Sequence, residues 1–203
     1  LSPWLPGLNL KPFGISSINK KKERKIMEEN KNTLRNQIRT MLHMQRELDK
    51  EILNKQGIKK YPYENIKIAL IVEIGEMMNE LPTKFKHWKS TAIDDREKAL
   101  KEYVDVYHFL LSLCNEYKMS VPRYLECLND AQEYQTRAEK EDKTILISKV
   151  LASLVWNVSE GYIDKAVGSA KLLADVLGFT QDEIYEQYLV KNGINHQRQK
   201  QGY

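Results

Sequence analysis

From Asn32 onward, apolar positions fall three and four residues apart, and the chain reads as one helix after another. Leu34, Ile38, Met41, Leu42, Leu48 and Ile52, with Gln45 in the same register, predict a first long helix. Gly57 and Pro62 mark a loop after it, and a second helix is expected over about 64–81, stopping near Pro82. A third is expected from about Asp94 to Tyr117. Pro122 opens a fourth at its first turn, where the missing N–H costs nothing. Two more follow over about 144–158 and 162–177. Thr180 with Glu183 forms a capping-box signature for a last helix to about Asn192, after which the tail GINHQRQKQGY is polar and aperiodic. With no alternating strand pattern and no repeat, the expected fold is all-α, a helical bundle.

Residues 1–26 differ from the rest. They carry Pro3, Pro6 and Pro12, a basic run from Lys20 to Lys25 and no usable periodicity, so a disordered leader is expected there, with the body starting at Met27. The highly charged RAEKEDK at 137–143 is expected to be exposed, within a variable subregion over about 118–143. Composition changes this picture little: 203 residues, 41% hydrophobic and 30% charged, suit one globular domain with appendages. The net charge of +4 sits largely in the Lys20–Lys25 run and makes no case for a nucleic-acid partner. No apolar stretch reaches the roughly 18 residues of a membrane helix, and no signal core follows basic residues. Cys114 and Cys127 lie in apolar helical patterns away from other ligand residues, which suits reduced core thiols in a cytoplasmic protein.

The chemistry concentrates in acids set inside apolar helices. Helix two reads IKIALIVEIGEMMNEL and helix three reads EYVDVYHFLLSL. Glu73 and Glu76 are three apart and share a helix face, as do Glu102 and Asp105. A helix apolar nearly all round is expected to be buried all round, and burying carboxylates without partners costs several kcal/mol each. Neither helix carries a Lys or Arg between Ile68 and Leu81 or between Glu102 and Cys114. A divalent cation is then the expected compensation, and all-oxygen ligands select Mg²⁺, with Mn²⁺ as substitute. A buried polar network and solvated faces stand as the other readings. Gly75, which costs about 1 kcal/mol against Ala inside a helix, suits close approach by another helix or a substrate.

E-x-x-E followed on the next helix by E-x-x-D resembles the metal signature of the all-α NTP pyrophosphatase superfamily. Three further segments resemble its dimeric dUTPase branch. In MLHMQRELDKEI, Gln45 matches a glutamine of the family's pyrimidine pocket, while Asp49 falls where relatives often carry Asn. EMMNELPTKFKHWKS is similar to the stretch ending in Lys-x-Trp-Lys: the resemblance has Trp88 stack on the base, Lys86 and Lys89 lie near phosphate and Asn79 support the pocket. YLVKNGINHQRQKQGY is similar to the closing motif, with Lys191, Asn192, Asn195, Arg198 and Gln199 as its phosphate-binding and site-closing residues. His108, three residues after Asp105, is a further candidate for touching the sugar, or else a satisfied core histidine. Trp88 read alone is a core aromatic, and Arg198 read alone is a solvated tail residue.

The resemblance implies Mg²⁺-dependent hydrolysis of dUTP to dUMP and pyrophosphate, limiting uracil incorporation into DNA, with dUDP as a possible further substrate. It implies a homodimer and looks most like the dUTPases of phages of Gram-positive bacteria, which act in the host cytoplasm. Some of those also bind a repressor protein of a mobile pathogenicity island. The catalytic set is Glu73, Glu76, Glu102 and Asp105. Two alternatives stay open: the same chemistry on another nucleotide, as in a dCTPase or MazG-like enzyme, and a non-catalytic helical interaction protein. A substrate panel separates the first, and indifference to metal and to carboxylate-to-amide changes marks the second.

Overall fold

The computed structural model describes residues 15–138 and 141–202, so residues 1–14 of the expected leader and part of the charged stretch at 137–143 lie outside it. The described residues form seven α-helices: α1 (Ile15–Lys55), α2 (Tyr63–Asn79), α3 (Arg96–Glu116), α4 (Val121–Ala138), α5 (Lys143–Glu160), α6 (Ile163–Leu177) and α7 (Gln181–Gln201). A single 3₁₀ turn, Pro82–Lys84, follows α2, and there is no strand among the described residues. The fold is all-α, as expected.

The chain divides into two units, residues 1–34 and 35–203. In the first, helix starts at Ile15, so residues 15–26 are helical although their sequence shows no periodicity. The reason is local: Lys, Glu and Arg propagate a helix well without an apolar face, and residues 24–33 are exposed.

In the second unit α3 is the central helix, packing on α2, α6 and α7, while α6 packs on α4 and α5. Tyr103, Val104, Val106, Tyr107, Leu110, Leu111, Leu113 and Cys114 are all buried, which accounts for the apolar sequence of α3 on most of its faces. Its first turn is closed by Asp95, whose side chain accepts from Lys98 N. The capping box at Thr180 and Glu183 starts α7 as the sequence indicates. Arg96 also grips Glu183 with two bonds of 2.9 Å, fastening the start of α7 to the start of α3.

Two expectations fail. Helix α7 does not stop near Asn192 but runs through Gly193 to Gln201. Its far half is anchored by polar groups, buried Asn192 and Gln199 and a 2.5 Å contact of His196 with Glu51, which hydrophobic periodicity does not register. Helix α2 is not buried all round either: Leu70, Ile74 and Met77 face the core, whereas Ile68 and Val72 are 61% and 50% exposed. Gly75 is exposed, and a Cβ placed there meets nothing within 4 Å, so no helix among the described residues makes the close approach expected of another helix or a substrate. Cys114 and Cys127 are buried free thiols. No helix of the described residues is long and apolar enough to cross a membrane.

Candidate active site

The i, i+3 spacing puts Glu73 and Glu76 on one face of α2 and Glu102 and Asp105 on one face of α3, and these two helices pack together. One carboxylate oxygen each from Glu73, Glu76 and Glu102 lies within 4.8 Å of the others. Asp105 stands outside that triad because it accepts a 2.5 Å bond from Lys191 Nζ on α7. The positive charge missing from α2 and α3 thus comes partly from a third helix. Glu76 is exposed and the other three acids are half-buried, so the cost of burial is smaller than four enclosed carboxylates imply.

Negative charge is still in excess. Burial, then the neighbouring Asp105, Glu76 and Glu102, raises the Glu73 carboxyl to about 7 against the pull of Lys191. Glu102 is raised by burial and by Asp105. Asp105 is raised by burial, with the Lys191 hydrogen bond opposing. An all-oxygen cluster with unmatched charge fits a hard divalent cation. Neighbouring oxygens of an octahedral cation bound at about 2.0–2.1 Å lie roughly 2.9 Å apart, so these side chains would have to draw closer together to share one ion.

Beside the acids, α1, α2, α3, α7 and the loop at 56–62 enclose a cavity of about 330 Å³. It gathers eight of the residues expected from sequence: Gln45, Glu73, Asp105, His108, Lys191, Asn195, Arg198 and Gln199. Asn192 is buried next to Lys191 in α7 but does not line the cavity. Nor do Asn79, Lys86, Trp88 and Lys89. Asn79 is exposed at the end of α2. Trp88 is 68% exposed, which excludes the core-aromatic reading within this chain, and it sits edge-on to Phe85 and His87. Lys86 Nζ lies 5.3 Å over the Phe85 ring. This segment is pinned at its base by Asp95 N donating to Glu80 O at 2.8 Å and by Lys84 paired with Asp94 at 2.7 Å.

Inside the cavity the polar groups form a connected set. Gln45 Nε2 donates to Asp49 Oδ1 at 2.7 Å, and Gln45 Oε1 sits 2.7 Å from His108 Nδ1 and accepts from Tyr188 at 3.1 Å. Tyr61 and Ser112 share a 2.6 Å bond, and Ser112 bonds Asp49 in turn. The His108 ring stacks on Tyr188 at 4.2 Å. Asp49, Tyr61, Ser112 and Tyr188 therefore belong to the site although sequence reasoning assigned them no role. Asp49 carried a signal, sitting one turn after Gln45; Tyr61, in a loop, carried none. A groove of about 380 Å³ between α4, α5 and α6 is slightly larger, but Arg123 is paired with Asp164 there and Lys149 with Glu141, and it holds no acid cluster.

No curated protein matches the chain. A family model described as dUTPase matches residues 37–203, which takes in all four acids and the whole cavity lining. The chain belongs to the dUTPase family, enzymes that hydrolyse dUTP.

Proposed function

We propose that this dUTPase uses a divalent cation, Mg²⁺ before Mn²⁺, to cut dUTP into dUMP and pyrophosphate, limiting uracil incorporation into DNA. The reading rests on one observation: three carboxylates converge beside a cavity that also gathers Lys191 and Arg198. Glu73, Glu76 and Glu102 would hold the cation, with Asp105 as the fourth acid where Lys191 is drawn to phosphate. Bound there, the cation neutralises phosphate charge and makes a nearby water more acidic. Glu76 is the most accessible of the acids and takes the proton of the attacking water. In-line attack on the phosphate chain releases pyrophosphate, whose developing charge meets the ammonium of Lys191 and the guanidinium of Arg198. Gln45 and His108 face the nucleoside, while Asn195 and Gln199 close the cavity from α7.

Trp88, Lys86, Lys89 and Asn79 stand outside this cavity within one chain, so they serve a base and phosphates only if their segment moves or a second copy supplies them. A homodimer has support in the exposed Ile68 and Val72 beside Gly75 on α2. The test is pyrophosphate release from dUTP, dCTP, dTTP and UTP, each with and without Mg²⁺. Metal-dependent turnover of dUTP alone is the expected result. Equal turnover of dCTP overturns the base assignment, and turnover without metal overturns the role of the acids.

A further inference from the structure

Four buried side-chain polar atoms have no partner among the described residues, and two of them belong to residues that line the cavity: His108 Nε2 and Gln199 Oε1. An enclosed polar atom without a partner is costly, since it has given up water for nothing. His108 is only 4% exposed, and what its Nε2 can bind depends on which ring nitrogen carries the proton.

That choice is set two residues away. The Asp49 carboxylate can only accept, so the Gln45 amide must turn its Nε2 towards it, at 2.7 Å. The amide oxygen then faces His108 Nδ1, also at 2.7 Å, and an amide oxygen can only accept. The imidazole is neutral, because burial first and the nearby Lys191 second push it down to about 3. A neutral ring with its proton on Nδ1 has a bare lone pair on Nε2. Ser112 bonds Asp49 from the other side and is itself held by Tyr61, so the direction of the whole set points to the carboxylate.

We propose that Asp49 is a positioning residue that acts through Gln45 to fix His108 as the Nδ1–H tautomer, making Nε2 the acceptor that selects a base with a ring N–H over one with a lone pair there. Uracil carries N3–H; cytosine carries a bare N3. The inference rests on the dUTPase reading and supplies it with a reason for rejecting dCTP. A uracil N3–H satisfies an acceptor whose desolvation cost was met on folding, whereas cytosine sets lone pair against lone pair. A site built to receive a hydrogen bond discriminates far more sharply than one that only measures size. The remaining hydrogen on Gln45 Nε2 is a donor for a neighbouring base carbonyl. Nε2 is buried, so on this reading a neighbouring side chain of the cavity has to shift for the base to reach it.

The test reads the nitrogens directly. In full-length chain labelled with ¹⁵N-histidine, His108 signals are identified by their loss in His108→Gln. The expected ligand-free state has Nδ1 protonated and Nε2 bare; adding dUMP shifts Nε2 towards the hydrogen-bonded range, and adding dCMP does not. Asp49→Ala should mix the tautomers and lower the dUTP-to-dCTP ratio of kcat/KM by about 10-fold or more, chiefly through KM. Asp49→Asn, whose Oδ1 still accepts from Gln45, should restore both. Proton on Nε2 in the wild type, an Nε2 signal indifferent to bound dUMP, or an unchanged base preference in folded Asp49→Ala overturns the inference. The wild-type spectra need no variant to fold. Absence of turnover on every nucleotide defeats the dUTPase reading instead, since tautomer and dUMP shift are read without turnover.

Discussion

Glu76 and Asp49 show how differently two carboxylates of one site are employed. Glu76 is exposed on α2, so an amide in its place leaves the core untouched. Glu76→Gln should lower turnover of dUTP by about 10²–10⁴-fold, the usual worth of a positioned acid or base, with an unchanged melting curve. Turnover near the wild-type level sinks its assignment as proton acceptor. Asp49 is half-buried against Gln45 and Ser112, and desolvation lifts its carboxyl from 3.8 to about 6 despite those bonds. The folded chain therefore holds this proton more tightly than the unfolded chain. The associated stability is intact below about 3.8 and is lost as pH rises to about 6. Asp49→Asn removes the ionisation and should be more stable than wild type by on the order of 2 kcal/mol at about pH 7, with the gap closing towards about pH 4. Urea unfolding at the two pH values measures it, and a gap independent of pH contradicts the mechanism. The acids of α2 and α3 were legible because carboxylates inside apolar runs are conspicuous. The Asp49 set was not, since its members come from α1, α3, α7 and a loop, and no spacing rule connects them.

At the level of elements, the sequence marked the boundaries that short local signals set and missed the start of α1 and the end of α7. Thr180 with Glu183 and Asp95 act locally, so a few adjacent residues disclose them. Thr180→Ala should cost about 1 kcal/mol of stability and leave kcat unchanged, because the cap lies three turns from Lys191. A matching loss of activity would mean that the start of α7 is coupled to the site. The far half of α7 escaped because Asn192, His196 and Gln199 hold it through polar contacts, and Gly193 reads as a stop. In the structure Gly193 is an interior helical residue with nothing within 4 Å of a Cβ. Gly193→Ala should then stabilise the chain by up to about 1 kcal/mol, as thermal or urea unfolding reports. The start of α1 gave no periodic signal for a related reason: Lys, Glu and Arg carry a helix without any apolar stripe.

For the molecule as a whole, Gly75 is the informative contrast to Gly193. Both are exposed, both sit inside helices, and in one chain neither has a neighbour that a methyl group would strike. Judged on one chain, Gly75→Ala should stabilise by the same amount of about 1 kcal/mol. Gly75, however, stands among the exposed Ile68 and Val72 on α2, apolar surface that a single copy leaves in water. If a second copy covers this face, an added methyl at Gly75 holds the two backbones apart, and the gain turns into a loss. The comparison is to be made without nucleotide or metal, so that nothing except another copy can occupy the face. The expected outcome is that Gly193→Ala raises stability, while Gly75→Ala lowers it and shifts the mass measured by light scattering from dimer towards monomer as the protein is diluted. Val72→Glu should shift that mass further, since it places a charge in the same contact. Equal stabilisation by both alanines, with no change in mass, would assign the exposed face of α2 to the monomer's own surface.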